Sequence, residues 1–373
     1  LSLERLNRME APDTAGMTVQ AEAGVVLEKL QTACQAAGLR FGLDLGGRGS
    51  AMVGGLLSTN AGGFQALRYG LARDQVLGLE CVLASGKVLS HLVPYAKDNT
   101  GYDLKHLFIG AEGTLGVITR AVLRLHPAPL TVNTALLAFE NFDAVIRALH
   151  SMRQSFQGTL SCFEIMWREF YDFNVEAICP ASPPLPAGSP FYVLCETEGF
   201  DKVSDDTRFE AVMTGLLESG DASDIVIAQS SRQRADIWRI REEFEPEKDL
   251  FKVMVDFDIS LPINTMERFA ADAEALLAQH VPENLGLHII GHLGDGNLHV
   301  TTGLPTPERK TQVQRLMYEL IAAYKGSISA EHGIGLAKKA FLGHSRSADE
   351  IQTMRAIKAA LDPRNILNPG KIF

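Results

Sequence analysis

Residues 45–63, LGGRGSAMVGGLLSTNAGG, carry glycine at positions 46, 47, 49, 54, 55, 62 and 63. No long helix or strand tolerates that density, because glycine gives up the most conformational freedom on ordering and packs no side chain. Turns are therefore expected to interrupt the segment. It is then either a set of tight turns and nothing more, or a surface whose backbone N–H groups face a bound phosphate. It is not a GxGxxG dinucleotide fingerprint, which should follow one strand and open one helix. A second such cluster, KDNTGYDLKHLFIGAEGTLGVIT, follows at 97–119.

Around these clusters the stretches GMTVQAEAG, VLGLECVLASGKVL and GVITRAVLRLHP read as strands, and VVLEKLQTACQAAG reads as a helix, which is an α+β pattern. LHPAPLTV marks a boundary. Beyond it, longer helical patterns (FDAVIRALHSMRQSF, MERFAADAEALLAQHV, PERKTQVQRLMYELIAAYKG) alternate with strands (FYVLCETEG, KVMVDFDISLP, GLHIIGHLG). That order predicts an antiparallel sheet covered by helices on one face. CPASPPLPAGSP reads as an exposed loop, and ADEIQTMRAIKAAL as an amphipathic helix stopped by Asp362-Pro363. We expect domains at 1–130 and 131–345, with 346–373 returning to the first.

Two domains suit a chain of 373 residues. A net charge of −10 argues against a nucleic-acid surface and leaves small-molecule chemistry. The five cysteines are scattered without CxxC spacing, so reduced thiols and a cytoplasmic setting are expected. No apolar run approaches the roughly 20 residues of a membrane span. The abrupt start at LSLERLNRME, with no initiating methionine, leads us to expect further sequence upstream.

GHLGDGNLH, at 291–299, poses the chemical question. Asp-Gly is a strong signal for a two-residue type I′ hairpin. A turn at Asp295-Gly296 would pair Gly294 with Asn297, Leu293 with Leu298 and His292 with His299. The two imidazoles would then stand about 5 Å apart at Cβ, a chelating geometry. The plain alternative is packing or solvation, and His288, of the same parity, reads as structural. His91, His106, His126, His150, His280 and His344 show no partner pattern. SISAEHGIG offers Glu331 as a third ligand and His332 as a group suited to proton abstraction, or else an ordinary loop.

Taken in order, NAGG, RYG, VLGLE, TGYDL, GAEGTLGVIT, GHLGDGNLH, SAEHGIG and ILNPGKIF closely resemble the FAD-linked oxidases of the vanillyl-alcohol oxidase type. The resemblance spans essentially the whole chain and is to their metal-dependent D-2-hydroxyacid dehydrogenase branch. It implies FAD along the glycine loops. Gly54, Gly55, Thr59, Asn60, Gly62 and Gly63 would lie at the pyrophosphate and ribityl region. Glu112, Gly113, Gly116, Val117 and Ile118 would lie at the adenosine or flavin, and Asn368 would reach the flavin from the tail. It also implies a divalent metal, zinc first, on His292, His299 and Glu331, with His332 as general base. Arg241, and Asn297 beside it in role, would hold the substrate. The implied reaction oxidises a D-2-hydroxy acid to the 2-oxo acid with hydride transfer to FAD, passing electrons to a carrier, and a homodimer is compatible with it.

Two departures stand out. The family begins with a subdomain whose glycine loop binds the FAD pyrophosphate, and LSLERLNRM resembles the piece that follows it. This predicts either a fragment or a chain with a weakened hold on FAD. Relatives acting on D-2-hydroxyglutarate carry lysine where Asp256 stands, so a second substrate carboxylate should be disfavoured. Gln229, Trp238 and Glu164 are expected to shape the pocket. The rival readings are a zinc hydrolase on the same three ligands and a flavin-free relative serving as a binding or partner module.

Overall fold

Two seams divide the chain. In the computed structural model, which describes residues 1–373, Leu1–Ala128 and Glu331–Phe373 form one compact unit and Pro129–Ala330 a second. The second seam falls at Ala330 rather than at 345, because residues 331–335 are tied into the first unit by hydrogen bonds to Glu112.

The first unit is built on an antiparallel sheet of β1 (Thr18–Glu22), β2 (Val76–Val82), β3 (Val88–His91) and β4 (Val117–Arg124), in the order β1-β4-β2-β3. Helix Leu27–Ala36 buries Leu27, Leu30 and Cys34, one stripe at helical spacing, in a core shared with Val19, Leu79, Ile118 and Leu123. Helix Val53–Thr59 stops at Asn60, which takes the left-handed conformation with φ 53°. Helix Ala348–Leu361 opens on a capping box between Ser347 and Glu350 and ends at Asp362, as the Asp-Pro pair predicts.

The second unit holds seven strands: β5 (Thr131–Phe139), β6 (Leu160–Trp167), β7 (Phe191–Gly199), β8 (Asp224–Ile227), β9 (Val253–Ser260), β10 (Leu287–His292) and β11 (Asn297–Leu304). They run β8-β5-β7-β6-β10-β11-β9, every pair antiparallel. Every residue of β6 and β7 is buried, so the sheet needs cover on both faces and not only one. Helix Phe142–Phe156 packs its Phe142 on Trp167 and Phe191, on one face. Phe170, Tyr171 and Val175 of helix Arg168–Ile178, with Ile237 and Ile240 of helix Ser231–Glu242, pack on Met166, Tyr192, Leu194 and Ile290 of the other. No helix is long and apolar enough to cross a membrane.

The turn between β10 and β11 differs from the predicted hairpin. Leu293–Asp295 form a 3-10 turn and only Gly296 has positive φ, 86°. Leu293 is fully buried, which takes it out of the ladder, and Gly294 O accepts from the Arg153 guanidinium. His299 therefore pairs with Ile290 and not with His292. The slip is two residues, and strand side chains alternate with period two, so His292 and His299 keep the same face.

Candidate active site

That face is lined with acids as well as imidazoles. Across the β6–β10 ladder Glu164 stands opposite His292, and across β9–β11 Asp258 stands opposite His299. The two histidine rings lie 5.3 Å apart at 83°. His292 Nδ1 is 2.7 Å from Glu164 Oε1, so the carboxylate takes that nitrogen's proton in hydrogen bonding and leaves Nε2 its lone pair. The other carboxylate oxygen, Oε2, accepts from Arg241 Nε at 3.1 Å. Arg241, at the end of helix Ser231–Glu242, is buried and bonded to Glu164.

Asp258 accepts from Asn297 Nδ2 at 3.1 Å and from Ala330 N–H at 3.2 Å. Asn297 Nδ2 also donates to Ile259 O at 2.9 Å, while its buried Oδ1 has no hydrogen-bond partner. Glu331 is the residue bonded directly to Ala330. His332, next along, is exposed.

A neighbouring cluster went unnoticed in the sequence. Glu196 on β7, buried like Glu164, accepts from Arg234 Nε and Nη2 at 2.6 and 2.8 Å, from Thr134 Oγ1 at 2.7 Å and from Trp238 Nε1 at 3.0 Å. Burial alone would lower the Arg234 pKa, but the bonds to Glu196 outweigh it and raise it. Trp238 thus joins Glu196, whereas Gln229 is exposed just before the helix's cap residue Ser230, its N–H donating to Gln233 Oε1. The available signal was an acid within or ending an apolar run, LSCFEIMW for Glu164 and FYVLCE for Glu196, since buried carboxylates require partners. Asp256 is exposed on the face that carries Asp258.

In the first unit the expected cofactor residues fall into several settings. Gly55 has open space where a side chain would stand, as does Gly46. Gly54 packs on Ala23, where a Cβ would come to 2.7 Å of the alanine methyl. Thr59 Oγ1 donates to Gly55 O, and Asn60 Oδ1 accepts from Arg73 N–H at 2.9 Å. Gly62 is closed against the Glu331 carboxylate and Gly63 against Asp44 O. Glu112 spends both carboxylate oxygens on the N–H groups of Ile334 and Gly335, each at 2.7 Å, and Asn368 Nδ2 donates to Glu112 O at 2.6 Å. Gly113 takes φ 71°, Gly116 packs on the Phe108 ring, and Val117 and Ile118 open β4.

Comparison with known proteins agrees with this architecture. Residues 128–372 match the family of FAD linked oxidases, C-terminal domain, and residues 1–91 match the FAD binding domain. The chain belongs to the FAD-linked oxidase family. Across its whole length it is 39% identical to a probable mitochondrial D-2-hydroxyglutarate dehydrogenase of Oryza sativa subsp. japonica, of which it covers 66%. Over 97% of its length it is 40% identical to the mitochondrial D-2-hydroxyglutarate dehydrogenase of Bos taurus, again covering 66% of that protein. It is 38% identical to the D-2-hydroxyglutarate dehydrogenase of Xanthomonas citri pv. viticola, covering 79% of it. The chain thus spans about two thirds of the length of the rice and cattle relatives. In fold, 99% of it superposes on alkyldihydroxyacetonephosphate synthase (TM-score 0.73, 20% identity, 67% of that chain) and on 4-ethylphenol oxidase from Gulosibacter chungangensis (TM-score 0.71, 19% identity, 79% of that chain). The fold is that of the vanillyl-alcohol oxidase type.

Proposed function

We propose that the chain serves the oxidation of a D-2-hydroxy acid to the 2-oxo acid, with FAD and a divalent cation, zinc first, as its cofactors. The observation that carries this reading is the pairing of His292 and His299 on one face of the sheet, with Glu164 orienting His292 from behind and Glu331 proposed as the third ligand. Two imidazoles and one carboxylate suit zinc, and three protein ligands leave a position for substrate. Bare backbone at Gly46 and Gly55 suits a ligand that approaches the chain closely. The relatives named as D-2-hydroxyglutarate dehydrogenases support the same class of substrate.

When bound, FAD supplies a two-electron acceptor and the cation supplies positive charge beside the substrate hydroxyl. The remaining work falls to the chain. Arg241 offers a guanidinium to the substrate carboxylate, a planar donor set that lysine reproduces poorly. Asn297, whose buried Oδ1 is without a partner, would help hold the substrate. His332 receives the hydroxyl proton on a ring nitrogen. Asp256 faces the same side of the sheet with a negative charge, which favours a monocarboxylate over a second substrate carboxylate. The two electrons taken from the substrate would pass on to an external carrier, and five free cysteines suit a reducing compartment.

The test is an anaerobic visible spectrum of the FAD-loaded protein. Bleaching of the flavin bands by D-lactate, faster than by D-2-hydroxyglutarate, abolished by a chelator and by His332→Asn, is the expected result. Bleaching that survives chelation removes the metal from the reading, and retained reduction in His332→Asn removes the base.

A further inference from the structure

The two glycines of EHGIG need a reason to stay in place, since each adopts a conformation that a flexible loop would exchange freely. Gly333 has φ 77° and Gly335 φ 51°. The N–H groups of Ile334 and Gly335 converge, and Glu112 fills the concavity with both carboxylate oxygens at 2.7 Å. This is an anion seated in a nest of main-chain donors, with a protein carboxylate as the anion. Gly333 lies so close that a Cβ there would stand 2.8 Å from Glu112 Oε1.

Glu112 is itself held on its own main chain. Its N–H donates to Ser58 O at 2.8 Å, at the end of helix Val53–Thr59, and its O accepts from Asn368 at 2.6 Å. Its φ is 51°, a left-handed setting that a non-glycine residue keeps only where its surroundings fix it. With both oxygens used, its side chain is committed to the loop rather than to a ligand. Ile372 N–H closes the far side on Gly335 O at 3.1 Å.

We infer that Glu112 is a positioning residue: it fixes the loop that presents Glu331 and His332, the two groups immediately before the nest. This rests on the reading that those two residues serve the metal and the proton. Catalysis would not be expected to tolerate a mobile loop at this place, because small misplacement of a ligand or base is costly.

Glu112→Gln keeps the shape of the side chain but replaces one acceptor with a donor facing an N–H group. Amide hydrogen exchange of the peptide spanning 331–336 in the full chain should rise by about tenfold or more, while amides of β1 and β4 stay as they were. Zinc affinity, read by competition with a chromophoric chelator, should fall by about tenfold or more. Gly333→Ala, which drives a methyl onto the same carboxylate, should reproduce both changes. Unchanged exchange in 331–336, exchange raised equally through β1 and β4, or zinc affinity unchanged despite a loosened loop would each overturn the assignment. Wild-type protein that binds no zinc overturns the functional reading alone, and the exchange measurement still decides whether Glu112 holds the loop.

Discussion

His292 Nδ1 lies 2.7 Å from Glu164 Oε1, and Oε2 of the same carboxylate lies 2.9 Å from Arg241 Nη2. One buried acid thus stands behind both a proposed metal ligand and a proposed substrate clamp. Its replacement should be felt in stability and in binding together. Glu164→Ala takes from buried Arg241 the carboxylate it is bonded to, and breaking a buried ion pair costs about 3–5 kcal/mol. Urea unfolding should show it. Glu164→Gln preserves the volume, but its amide cannot accept from both partners, and zinc affinity should fall about 10–100-fold. A Gln variant with wild-type zinc affinity and wild-type KM would remove Glu164 from the site.

Glu196 anchors the same helix one turn or two earlier. Arg234, Trp238 and Arg241 project from Ser231–Glu242 toward the sheet, the first two onto Glu196 and the third onto Glu164. Loosening the first anchor should shift Arg241 without touching the metal ligands. Glu196→Gln is expected to cost about 1.5–3 kcal/mol, the worth of a hydrogen bond to a charged group. In steady-state assays KM for the hydroxy acid should rise while kcat changes little. A fall in kcat at constant KM would contradict this division of labour.

Local pattern made much of this legible. The strand and helix segments followed from periodicity, and the stop at Asp362-Pro363 followed from proline's effect on the residue before it. The shared face of His292 and His299 was readable because parity survives a two-residue slip, although their direct pairing was not realised. What escaped depends on distant partners. Only the folded chain brings Arg241 to Glu164, 77 residues away. For Glu112 the family resemblance implies a cofactor contact, and only the folded chain shows its side chain bonded to Ile334, 222 residues on. The fully buried Leu293, which displaced the predicted turn, is one apolar residue among many.

Gly62 illustrates a second use for a glycine in a cofactor-type motif. A Cβ at this position would overlap Oε1 of Glu331, so the NAGG segment leaves room for the proposed third metal ligand. Gly62→Ala should push that carboxylate aside. Zinc affinity should then drop by about tenfold or more, the scale of losses from disturbing a ligand's surroundings, while FAD reconstitution of the variant proceeds as in wild type. Should FAD binding fail and zinc binding persist, Gly62 belongs to the flavin and not to the metal.

The tail that carries Asn368 hangs on Asp362. Burial pushes this carboxyl's pKa up, but the Lys358 ammonium at 2.5 Å and the N–H groups of Leu367 and Ile366 outweigh it and bring it down to about 2. A carboxyl whose folded pKa is depressed gives stability that is fully present above its unfolded pKa, ordinarily about 3.9, and lost as pH falls through the folded value. Between about pH 4 and pH 2, then, residues 362–373 should lose their anchor. Lys358 also donates to Thr114 O and Leu367 O, so release of the aspartate loosens three attachments at one point. Limited proteolysis by pepsin across this range should cut the tail progressively sooner as pH falls. Asp362→Asn should show the same early cutting at pH 4 with little further change on acidification. Equal cutting of wild type and variant at pH 4 would show that the ionised Asp362 does not hold the tail.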